Sequence, residues 1–92
     1  MKTYQPLNCD LHDYLEIACL YGYMLNIELI DGQRLTARAI TTRTASTREE
    51  FLDVETADGR LEIRLDQLLA ITPQDDSARF GRVVLTPYTV PG

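Results

Sequence analysis

The 92-residue chain has no tryptophan, one histidine, two cysteines and no long apolar run. Each shortage removes a class of protein. No stretch approaches the roughly 18 apolar residues that a membrane-spanning helix needs. The opening MKTYQPLNCD carries one Lys but no apolar core, so it is not a secretory leader, and a cytoplasmic location is the expectation. Two cysteines without a leader do not make a disulfide scaffold. Cys9, His12 and Cys19 are close in sequence, but a structural zinc wants four ligands and no fourth is evident, so no metal is expected. The single histidine, His12, has no Ser or Cys nucleophile in a recognisable motif beside it. Phosphate-cradling GxxxxGK[ST] and GxGxxG motifs are absent. Carboxylate pairs such as Glu49-Glu50 and Asp75-Asp76 do occur. A chain this short has little material for the cleft that a carboxylate-pair hydrolase requires. No catalytic residue and no cofactor are expected, and the protein is not expected to be an enzyme.

What is present is ordinary globular material, 45% hydrophobic and 25% charged. The length implies one domain, residues 1–92, burying roughly 60–65% of its unfolded surface. Net charge is −5 and the isoelectric point about 4.6. Such a balance disfavours direct binding to nucleic acid, which wants a basic footprint, and favours a basic partner or simply solubility.

The pattern begins with a helix over about 10–21. Asp10 is a candidate N-cap, with Asn8 the alternative, and Gly22 supplies the stop. Leu11, Leu15 and Ala18 recur at helical spacing. Tyr14, Ile17 and Tyr21 fall on the same arc. His12, Asp13, Glu16 and Leu20 fill the opposite one, with Cys19 at its border. From there the period changes to two. MLNIELI, QRLTARAI, FLDVET, RLEIRL, LLAIT and FGRVVLT read as strands. Asp31-Gly32 and Asp58-Gly59 signal hairpin turns. TTRTASTREE, Thr41 to Glu50, reads as a strand end and mobile loop, and Met1 to Thr3 and the tail 87–92 as frayed ends. The fold class is therefore mainly β. It is an N-terminal helix followed by a small, strongly bent antiparallel Sm-like barrel of five to six strands over about 23–86. An OB-fold fits less well, since no helix falls between the third and fourth strands.

Between Thr3 and Ile30 there is no Lys or Arg. The helix dipole explains acids in the first turn, Asp10 and Asp13, but Glu16 lies too far along to gain much from it. Neither does it explain Leu20 on a polar face. A docking face for a cationic partner explains all of them, with carboxylates to pair with Lys or Arg and an apolar anchor. The arginines of the strands alternate with Glu and Asp, as in Arg60-Leu61-Glu62-Ile63-Arg64, which reads as cross-strand pairing.

The stretch YQPLNCDLHDYLEIAC resembles the opening of the Rof (YaeO) family of bacterial Rho-binding antiterminators. That family's pattern is Tyr-x-Pro-Ile/Leu-Asn-Cys-Asp followed by Asp-x-Leu-Glu-x-Ala-Cys. It is matched at Tyr4, Pro6, Leu7, Asn8, Cys9 and Asp10, then at Asp13, Leu15, Glu16, Ala18 and Cys19. A weaker likeness continues through LNIELIDGQRLTARA and LEIRLDQLLAIT. The resemblance implies an Sm-like barrel behind an N-terminal helix. It implies binding to the transcription termination factor Rho, at or near the primary RNA-binding site of its N-terminal domain, which blocks RNA engagement. By position it assigns partner contacts to Asp13 and Glu16, with His12 where close relatives can carry Tyr. Together with the pattern reading, the expected partner-binding set is Asp10, His12, Asp13, Glu16 and Leu20. Sm proteins read uridines with an Arg-Gly in their second motif, and Ile63-Arg64-Leu65-Asp66 has no Gly there. A small Sm-like RNA-binding module is the alternative function. No membrane partner is expected, and the protein is expected to be a monomer, with exposed strand edges leaving dimerisation open.

Overall fold

The computed structural model describes residues 9–85, with the side chains of residues 9 and 10 not among those described. The frayed ends expected at 1–3 and 87–92 lie outside these residues. The elements are helix α1 (Cys9–Tyr21), strands β1 (Met24–Leu29), β2 (Arg34–Thr44), β3 (Glu50–Thr56) and β4 (Gly59–Arg64), a 3₁₀ turn (Leu65–Gln67), β5 (Leu68–Pro73) and β6 (Val83–Val84). None of the described helices is long and apolar enough to cross a membrane.

The helix starts at Cys9, so Asp10 sits in its first turn rather than ahead of it as the cap. The other candidate cap, Asn8, lies outside the described residues. The end is as expected. Gly22 has φ +61°, its N–H donates to the Cys19 carbonyl at 3.2 Å, and the Tyr23 N–H donates to the Ala18 carbonyl at 2.9 Å. This is a Schellman closure, which needs a residue that tolerates the left-handed region.

The strands form one antiparallel sheet in the order β4-β3-β2-β1-β5-β6. Helix plus six antiparallel strands matches the expected class. Among the described residues, however, the sheet does not close, and β4 and β6 are its two edges. The last strand is only Val83–Val84, shorter than FGRVVLT suggests. β2 runs on to Thr44, well into the tract expected to hold a strand end and a mobile loop. The pairing explains how. Ala39 opposes Val54 and Thr41 opposes Asp53, so Ile40 is the extra residue of a bulge that bends the strand. Polar Thr41 and Arg43 then continue on the solvent side. At the β3–β4 hairpin, Gly59 pairs with Thr56, and Ala57 and Asp58 make the tip, one residue earlier than Asp58-Gly59 implied.

The core lies between α1 and one face of the sheet. Leu15 and Ala18 of the helix are fully buried with Leu25 and Ile27 of β1, Ala37 and Ala39 of β2, and Leu52 and Val54 of β3. Ile63, Leu65, Leu68, Ile71 and Leu85 complete the cluster. The helix lies mainly over β2. Ala37 and Ala39 present only methyl groups there, so the helix backbone can approach closely. No polar or charged side chain among the described residues is buried.

Leu15→Ala should therefore destabilise the protein by about 2–5 kcal/mol, the cost of lost burial plus a cavity at the helix–sheet contact. Urea unfolding followed by circular dichroism measures it. A loss below about 1 kcal/mol would mean that the helix is not held by this contact.

Candidate functional site

The buried stripe of α1 is Leu11, Leu15, Ala18 and Cys19. At about 100° per residue this turns Glu16, Leu20 and Asp13 directly outward as neighbours on the opposite side. Asp13 and Glu16 are exposed, and Leu20 is 78% exposed, the most solvent-accessible of the large apolar side chains among the described residues. The expected face thus exists in three of its five members. The side chain of Asp10 is not among those described. His12 departs from the expectation.

His12 lies at the flank of the helix and is only 23% exposed. Its Nε2 is 2.9 Å from Oε2 of Glu50, and its Nδ1 is 3.5 Å from Oε1 of Glu16. It is a tie between the first half of the helix and the start of β3, rather than a free partner-facing group. A neutral imidazole has one N–H and serves one of these carboxylates, whereas the imidazolium serves both. Glu50 was not singled out as a site residue. The signal was there, since strand alternation puts Glu50 on the same face as Leu52 and Val54, the face the helix covers.

The other end of the helix is tied as well. The last turn of α1 contains no basic residue. Arg38 of β2 supplies the charge instead, donating from Nη1 to the Gly22 carbonyl at 3.1 Å. A cation beside the helix C-terminus is the favourable sign. Cys19 is half-buried between helix and sheet. Burial, then the negative charge of Asp53 and of Glu16, pushes its thiol up to about 11. Among the described residues no group of three or more His, Cys, Asp or Glu is placed to hold a metal ion.

The solvent side of the sheet has a different electrostatic character. Asp53 and Glu62 stand directly opposite each other on β3 and β4, an unfavourable like-charge pair. Arg43 relieves it, with Nε 3.3 Å from Asp53 and Nη2 hydrogen-bonded to Glu62, while its guanidinium lies 4.9 Å over the Phe51 ring. Arg64 bridges Glu49 at 2.6 Å and Asp66 at 2.7 Å, and hydrogen bonds from Thr47 and Arg64 hold the Glu49 carboxyl below its usual range. Arg82 pairs with Glu28 at 2.9 Å. The anticipated cross-strand Arg–acid pairing is present, with Arg43 of β2 serving both Asp53 of β3 and Glu62 of β4. No Lys or Arg forms an ion pair with Asp13 or Glu16 among the described residues.

Comparison with known proteins shows the family and the fold. A family model described as modulator of Rho-dependent transcription termination (ROF) matches residues 6–85. The protein rof of Escherichia coli (strain K12) is 43% identical over 70 residues, which span 76% of this chain and 82% of that protein. Protein rof of Shigella flexneri matches to the same extent, 43% over 70 residues. The structure of YaeO from Vibrio cholerae O395, solved bound to magnesium, superposes with a TM-score of 0.72, covering 78% of this chain and 94% of that one. At 21% identity that likeness speaks for the fold alone. The chain belongs to the Rof family of modulators of Rho-dependent transcription termination.

The seating of Cys19 gives a direct test of the helix position. In a Cys9→Ser background at pH 8.5, the folded thiol should react with a thiol reagent about a hundredfold more slowly than in urea-unfolded protein. Equal rates would mean that the helix leaves the sheet readily.

Proposed function

We propose that this protein inhibits Rho by direct contact, docking the outward face of α1 at or near the primary RNA-binding site in Rho's N-terminal domain. The observation that carries the reading is the stripe Asp13–Glu16–Leu20. It stands exposed on a helix tied at both ends, and among the described residues no Lys or Arg pairs with its carboxylates. A site that holds RNA phosphates must be lined with Lys and Arg. Carboxylates on a rigid helix can pair with the same cations and keep RNA from them, and a protruding Leu20 adds an apolar contact. Membership of the Rof family supports Rho as the partner.

The roles divide accordingly. Asp13 and Glu16 supply the charge and Leu20 the anchor. Asp10, in the first turn, adds charge close to the helix N-terminus. His12 acts by holding Glu16 and the helix against Glu50, so its contribution to docking is through positioning. Each charge pair that becomes partly buried contributes on the order of 1–3 kcal/mol when its desolvation is offset.

Titration of purified Rho with wild-type protein and with the Asp13→Arg, Glu16→Lys double variant tests the reading. Circular dichroism first confirms that the variant is folded. The variant should bind about a hundredfold more weakly, two lost pairs at about 1.4 kcal/mol each. Raising salt should weaken the wild type, because exposed charge pairs are screened. Equal binding by both proteins would move the site off this helix. Wild-type affinity that ignores salt would contradict the electrostatic mechanism.

A further inference from the structure

A cleft of about 570 Å³ opens at the C-terminal end of α1, lined by Tyr21, Tyr23, Arg38, Asp75, Ser77 and Arg79 among others. Its walls are built, not incidental. Tyr21 and Tyr23 stack with ring centroids 5.5 Å apart and planes 16° from parallel. The Arg79 guanidinium lies 5.2 Å over the Tyr21 ring, and the Arg79 N–H donates to the Tyr23 hydroxyl at 3.1 Å. Tyr23 packs on Phe80 in turn, which also receives Tyr14 of the helix at 5.1 Å. Stacking and cation–π contact hold Arg79 in place at low further entropic cost to binding.

The two arginines of this cleft differ from Arg43, Arg64 and Arg82. Among the described residues, neither Arg38 nor Arg79 forms an ion pair. Arg38 uses one donor on the Gly22 carbonyl and has others to spare. Asp75 is near, but its Oδ1 accepts from the N–H and the hydroxyl of Ser77, which hold its carboxyl below the usual range.

We propose that the Rho-docking surface continues into this cleft, and that Arg38 and Arg79 receive a carboxylate side chain of the same protein partner. This inference rests on the reading of α1 as the docking helix. Leu20 (78% exposed) on the outward face and the half-exposed Tyr21 (48%) on its flank are consecutive residues between the two parts. The surface is then dipolar, with acids at Asp13 and Glu16 and cations at the far end. Asp13 and Tyr21 are about 12 Å apart along the axis at 1.5 Å per residue. A partner must offer cations and a carboxylate at matching positions, which fixes the orientation of docking as well as its strength. An RNA occupant fits less well. The Tyr21 ring is already engaged by Tyr23 and Arg79 and is not free to stack a base.

The test compares Arg79→Glu with Arg60→Glu in Rho titrations at fixed salt. Arg60 lies on the edge strand β4, and both variants change net charge equally. Arg79→Glu should weaken binding about tenfold or more, and Arg60→Glu should stay within roughly twofold of wild type. Arg79→Ala, which adds no new charge, should fall between them. If neither Arg79 variant binds more weakly than Arg60→Glu while the Asp13→Arg, Glu16→Lys protein still loses affinity, the cleft proposal is overturned and the helix reading stands. If wild type binds no Rho, both fall. A labelled single-stranded RNA that binds wild type and not Arg79→Glu would also overturn the proposal and assign the cleft to RNA.

Discussion

The contact between α1 and the two alanines of β2 sets the geometry on which everything else depends. Ala37 and Ala39 leave room for the helix over the middle of the sheet, and Leu15 and Ala18 fill it. Larger residues there would lift the helix and expose the core beneath. Once that side of the helix is committed, its rotation is fixed, and so is the set of residues turned to solvent. Two polar ties complete the placement. His12 meets Glu50 near the start, and Arg38 meets the Gly22 carbonyl at the end. A helix held in this way has little conformational entropy left to lose on binding.

Charge follows the same division of labour. The solvent side of the sheet largely neutralises itself, with Arg43, Arg64 and Arg82 each lying between or beside carboxylates. Among the described residues, no Lys or Arg pairs with the helix stripe. Asp13 and Glu16 are thus part of the protein's net charge of −5 that the rigid helix presents to solvent. Under the proposed function, such a face would steer a cationic partner and compete with RNA for it.

Much of this was legible in the residues. The helix bounds, its Gly22 stop and the buried positions Leu15 and Ala18 follow from spacing and from glycine chemistry. So does the outward set Asp13, Glu16 and Leu20. The strands with clean alternation, β1, β3 and β4, were equally clear. What was hidden depended on tertiary pairing. Polar Thr41 to Thr44 carry no strand period, and they are held in β2 by the register with β3 after a bulge at Ile40. His12 looked exposed on a helical wheel, because a wheel cannot know that Glu50 of β3 lies beside it. The curvature of the sheet misled in the other direction. A small antiparallel sheet was expected to close, yet among the described residues the two-residue β6 pairs only with β5 and β4 stays an open edge.

The most direct test of the account is displacement. Labelled RNA is bound to Rho, the protein is titrated in, and both the RNA signal and the protein's own association with Rho are followed. The account predicts that RNA leaves as the protein binds, with half-displacement shifting to higher protein concentration as the RNA concentration rises. Formation of a stable complex containing Rho, RNA and this protein together, with RNA affinity unchanged, would contradict it.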